Sequence, residues 1–370
     1  MKRFMLATTA LGAVIAFAAA APAFAGGSGS GDDSATIVQT LETSGFAWQH
    51  QPGDFGNSAT IVQTQGTGDV ATQEQWRNLD GNDFAIDSTQ VITQTLNNGA
   101  VAQQEDNGEG FDVQTANQVF TTNTTTALQT INVEFGEENH QASDQEFDSA
   151  SLVSQTIGAS APGFGSDFAN TQVATQLSQA NSSITQLEDG GNFNTEVALQ
   201  DPGSFNTISA TITAASNSNL INQTQMGSDL TEVALITAGS NNNSITQLQG
   251  VGSSFESQVA TIVGSSNNVV DQLQDADSAF NTQVVNIAGG SDDGRALQYQ
   301  GVGVEDGTQV ITQTGPAFNN QAGQSQGNNF NVATITQTGG SNNVALQNQG
   351  TLPGQTGYMA VSGGVVVRTP

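Results

Sequence analysis

The chain has 370 residues, of which only five are Lys or Arg and 34 are Asp or Glu, giving a formal net charge of −29. This acidic excess argues against nucleic acid as a partner, because phosphate binding needs basic side chains. There are no cysteines, so disulfides cannot hold the fold together. Glutamine (41) and asparagine (33) make up a fifth of the chain, yet apolar and β-branched residues recur between them at regular intervals, which argues against disorder.

The first residues predict export. A short basic start precedes an apolar run, 4–21, and Ala23 and Ala25 occupy the two small-residue positions of a signal-peptidase site. We therefore predict a signal peptide over 1–25, the alternative being an N-terminal membrane anchor, and a flexible Gly/Ser linker over 26–33. No later segment has enough unbroken apolar residues to span a bilayer.

A repeat organises the chain from 34 to 350. Six Gln-x-Gln pairs follow one another at steps of 24, 25, 26, 26 and 23 residues, and two earlier pairs lie 24 residues apart. These glutamines are Gln49, Gln51, Gln73, Gln75, Gln223, Gln225, Gln247, Gln249, Gln272, Gln274, Gln298, Gln300, Gln324, Gln326, Gln347 and Gln349. Four positions before a pair, an asparagine recurs as Asn219, Asn243, Asn268, Asn320 and Asn343. Such constant spacing is typical of a repeat architecture.

Each repeat also has a first half, which reads SATIVQT at Ser34 and Ser58 and NVATITQTG at Asn331. A glutamine closes this half, and the set comprises Gln39, Gln63, Gln94, Gln155, Gln176, Gln313 and Gln337. TTALQTI (Thr125–Ile131) and SASLVSQT (Ser149–Thr156) also look like first halves, although the register over 100–170 is irregular and their partners are ambiguous.

Some repeats lack the closing glutamine of the first half. Between Thr207 and Gly290 the residues at the expected position are Ala214, Ala238, Gly264 and Gly289. This substitution predicts a smaller and less amide-rich interior in that part of the chain.

Both halves have the features of β-strands. Each is six to eight residues long, rich in Thr and β-branched residues and bounded by Gly, Ser and Asn. One unit cannot bury its inner face alone, but a stack of units can. We predict an all-β fold, a β-solenoid of about twelve strand–arc–strand coils that form two facing parallel sheets over 34–350. Identical Gln and Asn side chains would then form hydrogen-bonded ladders along the axis. The tail, 351–370, lies outside the repeat, and its VVVR segment (Val365–Arg368) is either a capping strand or frayed.

These residues resemble the curlin repeat, Ser-x5-Gln-x-Gly-x2-Asn-x-Ala-x3-Gln, the building unit of curli amyloid fibres. Asn331 stands at the Ser position of the last unit, and the family's other positions are matched by Gln337, Gly339, Asn343, Ala345 and Gln349. The unit before it matches in the same roles through Gln313, Gly315, Asn320, Ala322 and Gln326. The second unit matches through Gln63, Asp69, Ala71 and Gln75, with Asp in place of Asn.

The resemblance implies a secreted subunit that polymerises into extracellular fibres attached to the bacterial cell surface, of the pilus or fimbrium kind, for adhesion and biofilm matrix. Its partners would be further copies of itself, a nucleator subunit, curli-type export machinery, and host or abiotic surfaces. The alternative is a monomeric β-solenoid that acts as a surface adhesin or as a glycan- or Ca²⁺-binding passenger. A polymerising subunit must leave its terminal coils uncapped, whereas a monomer needs caps.

The sequence offers no set of catalytic groups, so we expect neither an enzyme nor a cofactor. The mature chain would keep three arginines and two histidines, and we expect His50 on the outer side of a strand and His140 in an acidic loop. Trp48, Trp76 and Tyr299 are expected on outer strand faces. Most carboxylates fall between strands, where we expect a solvated acidic surface that keeps the monomer soluble rather than specific Ca²⁺ sites.

Overall fold

The computed structural model describes residues 34–40, 44–50, 56–75, 88–106, 111–122, 125–131, 138–158 and 169–350, and the backbone of two further strands at 359–362 and 365–368. The predicted signal peptide and linker, and most of the tail, lie outside these residues, as do Gln51 and Trp76. Within the described residues every regular element is a β-strand. The predicted all-β solenoid of about twelve coils, with two facing parallel sheets, is confirmed.

The chain divides into two compact units, Met1–Asn181 and Ser182–Pro370. In the first unit, the odd-numbered strands β1 to β11 form one parallel sheet and the even-numbered strands β2 to β10 form the other, so that each coil gives one strand to each sheet. The strands of the first unit are β1 (Ser34–Thr40), β2 (Phe46–His50), β3 (Ser58–Thr64), β4 (Val70–Gln75), β5 (Thr89–Thr95), β6 (Val101–Asp106), β7 (Val113–Val119), β8 (Thr126–Ile131), β9 (His140–Glu146), β10 (Leu152–Ile157), β11 (Thr171–Leu177) and the short β12 (Gln179–Ala180).

The second unit repeats this plan with one strand of each coil in each of two parallel sheets. Its strands are β13 (Ser183–Asp189), β14 (Thr195–Ser204), β15 (Thr207–Thr213), β16 (Leu220–Ser228), β17 (Thr231–Thr237), β18 (Ser244–Ser254), β19 (Ser257–Val263), β20 (Val269–Gln274), β21 (Thr282–Ala288), β22 (Ser291–Asp292), β23 (Arg295–Gln300), β24 (Thr308–Phe318), β25 (Gln321–Gln326), β26 (Val332–Ser341), β27 (Val344–Gln349), β28 (Met359–Ser362) and β29 (Val365–Arg368). One sheet runs β14-β16-β18-β20-β23-β25-β27, and the other runs β13-β15-β17-β19-β21-β24-β26.

Alternate residues of each strand point into the coil, as period two requires. The inner positions of β5, for example, are fully buried while the outer positions are half-exposed. The core is thin and consists of Ile, Ala and Val from both sheets, flanked by buried glutamines. Successive strands pair in register, so each inner residue lies directly against its equivalent in the next coil.

Two sequence predictions about the first unit are wrong. The segments Thr125–Ile131 and Ser149–Thr156 were expected to be first halves, but β8 and β10 lie in the sheet of β2, β4 and β6, which holds the second halves. Gln155 therefore belongs beside Gln129 and not in the column of Gln39. The first-half positions are taken by β7 and β9, whose polar sequences VQTANQV and HQASDQE give a weak strand signal.

The predicted small residues of the second unit are misplaced by two positions. In register, the column of Gln313 continues through Ile287, Ile262, Ile236 and Ile212. The predicted residues, such as Ala214 and Gly264, lie beyond the strand ends at positive φ. The interior there is apolar but not smaller, because isoleucine replaces glutamine at nearly equal volume.

The VVVR segment is neither a capping strand nor frayed. As β29 it pairs antiparallel with β28, and this hairpin packs against β23, β25 and β27. It forms a sheet of its own and does not hydrogen-bond to the free edge of β27. Leu297 and Tyr299 of β23 point outward but are buried, as expected if the hairpin packs on the outer face of β23.

Candidate self-assembly site

The Gln-x-Gln pairs of the second unit form two parallel ladders of amides. The first runs from Gln223 to Gln347 with Nε2–Oε1 distances of 2.7–3.3 Å. The second includes Gln200, one coil earlier, and runs to Gln349 with distances of 2.9–3.1 Å. Every predicted pair from Gln223/Gln225 to Gln347/Gln349 is therefore brought together. A primary amide suits this role because it both donates and accepts.

The first unit has equivalent ladders. One joins Gln39, Gln63, Gln94, Gln118, Gln145 and Gln176 at 2.6–2.8 Å. Another joins Gln49, Gln73, Gln104, Gln129 and Gln155 at 2.7–2.9 Å. Gln313 and Gln337 form a short ladder of 2.8 Å in the second unit. Gln75 departs from the prediction, because its neighbour in register is Asp106 and not a glutamine.

Most ladder amides also donate to a backbone carbonyl of the opposite sheet. Gln223 Nε2 donates to the Ser209 carbonyl at 3.3 Å, and Gln272 Nε2 donates to the Val259 carbonyl at 3.2 Å. The same contact recurs in the first unit, where Gln63 Nε2 donates to the Phe46 carbonyl at 3.1 Å. A ladder glutamine thus uses one N–H along the axis and the other across the core. These amides hold the two sheets together, a task that a thin apolar core performs weakly.

Sequence reasoning missed several ladder glutamines. A third column in the first unit joins Gln90, Gln114, Gln141 and Gln172 at 2.7–3.0 Å. A column in the second unit joins Gln258, Gln283 and Gln309 at 2.8–2.9 Å. The available signal was a spacing of four, as in Gln90 and Gln94 of β5, which places both side chains on the inner face.

The glutamine ladders have one polarity. In each of them Nε2 donates to the glutamine of the next coil toward the C-terminus. Within the described residues, the buried glutamine Oε1 atoms without a hydrogen-bond partner are those of Gln90, Gln223, Gln258 and Gln313. The residues that precede these four in register are Ala59, Ala198, Glu232 and Ile287. At these four ladder starts, the glutamine Oε1 is therefore a buried acceptor without a donor.

The predicted asparagines form a column of opposite polarity in the arcs. Asn219, Asn243 and Asn268 each direct Nδ2 and the backbone N–H to Oδ1 of the preceding asparagine, at 2.8–3.2 Å. Gly294 interrupts the column, and Asn320 Nδ2 is buried without a partner among the described residues. Asn320 Oδ1 still accepts the backbone N–H of Asn343 at 3.1 Å.

The expectation that the carboxylates between strands are solvated is wrong for several of them. Asp69, Asp148 and Glu256 lie in arcs yet are at most 2% exposed. Asp69 takes the place of an arc asparagine, and its Oδ1 accepts the backbone N–H of Ala100 at 3.0 Å. Asp148 lies in a different arc position, in line with Asn97, and its Oδ1 accepts the backbone N–H of Gln179 at 2.7 Å. Burial raises the pKa of Asp148 to about 8 and that of Glu256 to about 7.

Glu232 stands at the head of a ladder, at an inner strand position between Ile208 and Gln258. It is fully buried on β17, and its neighbour in register toward the C-terminus is Gln258. Within the described residues, Oε1 of Gln258 lacks a hydrogen-bond partner. Burial raises the pKa of Glu232 well above its usual value. The neutral acid can donate to Gln258, whereas a carboxylate would face another acceptor.

Within the described residues, the first coil is open on its N-terminal side. Strands β1 and β2 pair only with β3 and β4 within the described residues. Their inner side chains are partly exposed, whereas those of β3 and β4 are fully buried. Gln39 and Gln49 donate to the next coil, but their Oε1 atoms accept nothing in the part of the chain that the structure describes. This coil presents ladder acceptors.

Among the strands that the structure describes, none covers the C-terminal edge of the last coil. Strands β26 and β27 pair only with β24 and β25 among the described strands. Ala345, Gln347 and Gln349 are partly exposed, in contrast to their fully buried equivalents on β25. Gln347 accepts from Gln324 but donates to nothing within 34–350 as far as it is described. This coil presents ladder donors.

Aromatic side chains lie outside the core. Phe255 and Phe280 are more than half exposed and stack at 5.0 Å with an interplanar angle of 2°, and an equivalent pair is found in the first unit.

Trp48 stacks on His50 at 5.6 Å, so both face outward as predicted. Tyr299 also points outward but is covered, and its hydroxyl donates to Asp275 at 2.9 Å. His140 begins β9 and does not lie in a loop.

Among the described residues, no group of three or more His, Asp or Glu side chains is arranged to hold a metal ion. No helix there is long and apolar enough to cross a membrane. Comparison of the sequence with known proteins finds no matching protein-family model and no matching curated protein.

Proposed function

We propose that the chain is a secreted structural subunit that polymerises end to end into extracellular, curli-like amyloid fibres for adhesion and biofilm matrix. The observation that carries the proposal is the pair of open terminal coils, one with free ladder acceptors and the other with free ladder donors. The resemblance of the repeats to the curlin pattern supports the same conclusion. The proposal assigns the chain no catalytic activity and no cofactor.

Association of two such ends is favoured by apolar burial and by hydrogen bonding. Each end exposes apolar and amide side chains that are fully buried one coil further in. It also carries the outer backbone N–H and C=O groups of two edge strands, which no described strand pairs and which can pair with another chain. A second copy would bury both and would extend the existing ladders without any change of conformation.

Blocking one edge tests the proposal. Asn343 directs its backbone N–H and C=O toward the preceding coil, so the alternating residues Val344 and Leu346 direct theirs to the free edge. Leu346→Pro should leave the monomer folded, because an edge strand tolerates proline, but should slow seeded fibre growth strongly. Leu346→Ala is the matched control, because it removes the same side chain but keeps the N–H. Thioflavin-T fluorescence with preformed seeds measures the rates.

Equal growth of the proline and alanine variants would show that the edge of β27 does not elongate the fibre. A chain that never forms fibres, with or without the substitutions, would contradict the proposed function altogether.

A monomeric surface adhesin is the second candidate. The exposed, stacked phenylalanines favour it, because such flat aromatic surfaces suit contact with sugars or abiotic surfaces. This candidate predicts that Phe255→Ala and Phe280→Ala together reduce adsorption to a glycan-coated surface by a chain that remains monomeric. If adsorption requires fibres, the adhesin is the assembled form and not the monomer.

A further inference from the structure

The two open coils carry the same inner residues in the same order. Strand β26 reads VATITQT and β1 reads SATIVQT, so both place Ala, Ile and Gln on the inner face. Strand β27 places Ala345 and Gln347 there, and β2 places Ala47 and Gln49 there. In its inner residues, the last coil is thus a copy of the first.

Chain order favours one way of stacking them. Within the second unit, the first strand of each coil pairs with the first strand of the coil before, as β26 does with β24, and the second pairs with the second, as β27 does with β25. A coil added in the same sense therefore places its own first strand on β26 and its second strand on β27.

Building on the proposed fibre, we propose that the subunits join in one register, with β1 of the incoming copy on β26 and β2 of that copy on β27. Ala333, Ile335 and Gln337 then meet Ala35, Ile37 and Gln39 of the next copy. Ala345 and Gln347 meet its Ala47 and Gln49. The polarity agrees, since the last coil offers Nε2 groups and the first coil offers Oε1 groups.

The alternative register would place glutamines opposite isoleucines in these columns. If β1 of the incoming copy lay on β27, Gln347 would face Ile37, and Gln49 would face Ile335. Within the chain itself, a glutamine that follows an isoleucine or an alanine in its column has a buried Oε1 without a donor, as at Gln313 and Gln223. That register would add unsatisfied amides to the junction, whereas the proposed one adds none at these columns.

Cysteine pairing distinguishes the two registers, because the natural chain has no cysteine. Thr36, Thr334 and Leu346 all point outward and are exposed, so substitution there leaves the core intact. Facing residues of adjacent strands lie about 4.8 Å apart, within the Cα separation that a disulfide accepts. The test variant is Thr36→Cys with Thr334→Cys, the control is Thr36→Cys with Leu346→Cys, and Thr36→Cys alone reports lateral contacts.

Each variant is assembled under reducing conditions, oxidised as a fibre and run on a denaturing gel without reductant. We expect a ladder of covalent oligomers from the Thr36/Thr334 variant and only monomer from the other two. Fibres that crosslink through position 346, through both positions equally or through neither would overturn the register and leave the fibre proposal standing. Failure of every variant and of the unmodified chain to form fibres would instead refute the proposed function.

Discussion

Replacing Glu232 by glutamine should extend the ladder of Gln258, Gln283 and Gln309 by one coil toward the N-terminus. In the neighbouring coil, Gln258 Nε2 donates to Gln283 Oε1 at 2.8 Å and to the Leu248 carbonyl at 3.1 Å. Glutamine at position 232 would occupy the equivalent place and could donate to Gln258 Oε1 and to the Thr224 carbonyl, which is in register with Leu248. The protonated acid has only one O–H to donate, so the substitution adds one net hydrogen bond, worth about 1 kcal/mol.

The larger part of the gain depends on pH. The pKa of Glu232 is raised well above 4.5 by burial, so the folded state holds a proton that the unfolded state releases. Stability from this group is complete below pH 4.5 and is lost as the pH rises toward the folded pKa, by about 1.4 kcal/mol per pH unit. Glutamine does not titrate, so the advantage of Glu232→Gln over the natural chain should widen at that rate above pH 4.5.

Urea unfolding of freshly prepared monomer, followed by far-ultraviolet circular dichroism at pH 4, 5, 6 and 7, measures the difference. Glu305→Gln is the matched control, because Glu305 is exposed and its replacement should change stability little at any pH. A Glu232→Gln advantage that stays constant with pH, or a loss of stability, would refute the assignment of a buried neutral acid at the head of this ladder.

Three further predictions concern the buried carboxyl groups, the glutamine ladder and the net charge of the chain. Because burial raises the pKa of Asp148 to about 8 and of Glu256 to about 7, the free energy of unfolding should fall as the pH rises from about 4 to about 8, at about 1.4 kcal/mol per unit for each group within its own window; urea midpoints that rise over that range would contradict it. Gln272→Leu should destabilise the fold by roughly 3 kcal/mol or more, because it leaves three buried polar partners unmet at about 1–3 kcal/mol each; a cost below about 1 kcal/mol in the same assay would mean that the ladder contributes little. Finally, low pH or added salt should speed fibre formation by reducing repulsion between chains of net charge −29, and slower thioflavin-T kinetics at pH 4–5 than at pH 8 would be inconsistent with this.

The strands and their facing sheets could be predicted because their signals are local and periodic. A Gln-x-Gln pair fixes two inner positions of one strand, and the constant step fixes the coil length. These two signals were enough to predict which glutamines form the ladders from Gln223 to Gln349. It failed at β7 and β9, whose inner glutamines are spaced by four and whose outer residues include Asn117 and Asp144.

Other features required knowledge of the register. Placing Ala214 in the glutamine column instead of Ile212 was an error of two residues, which period two cannot detect because it leaves the face unchanged. The burial of Asp69 and Glu256 was missed for a related reason, since the arc residue directly before a strand is itself directed inward. The polarity of the ladders depends on which nitrogen faces which oxygen, and sequence carries no such information.

Electron microscopy with fibre diffraction tests the central claim most directly, which is that open terminal coils lead to end-to-end assembly. The purified chain without its predicted leader should form unbranched filaments during incubation. Aligned filaments should give a meridional reflection at about 4.7–4.8 Å, the spacing of successive strands. A preparation that stays monomeric at high concentration while its circular dichroism shows folded β-structure would contradict the account.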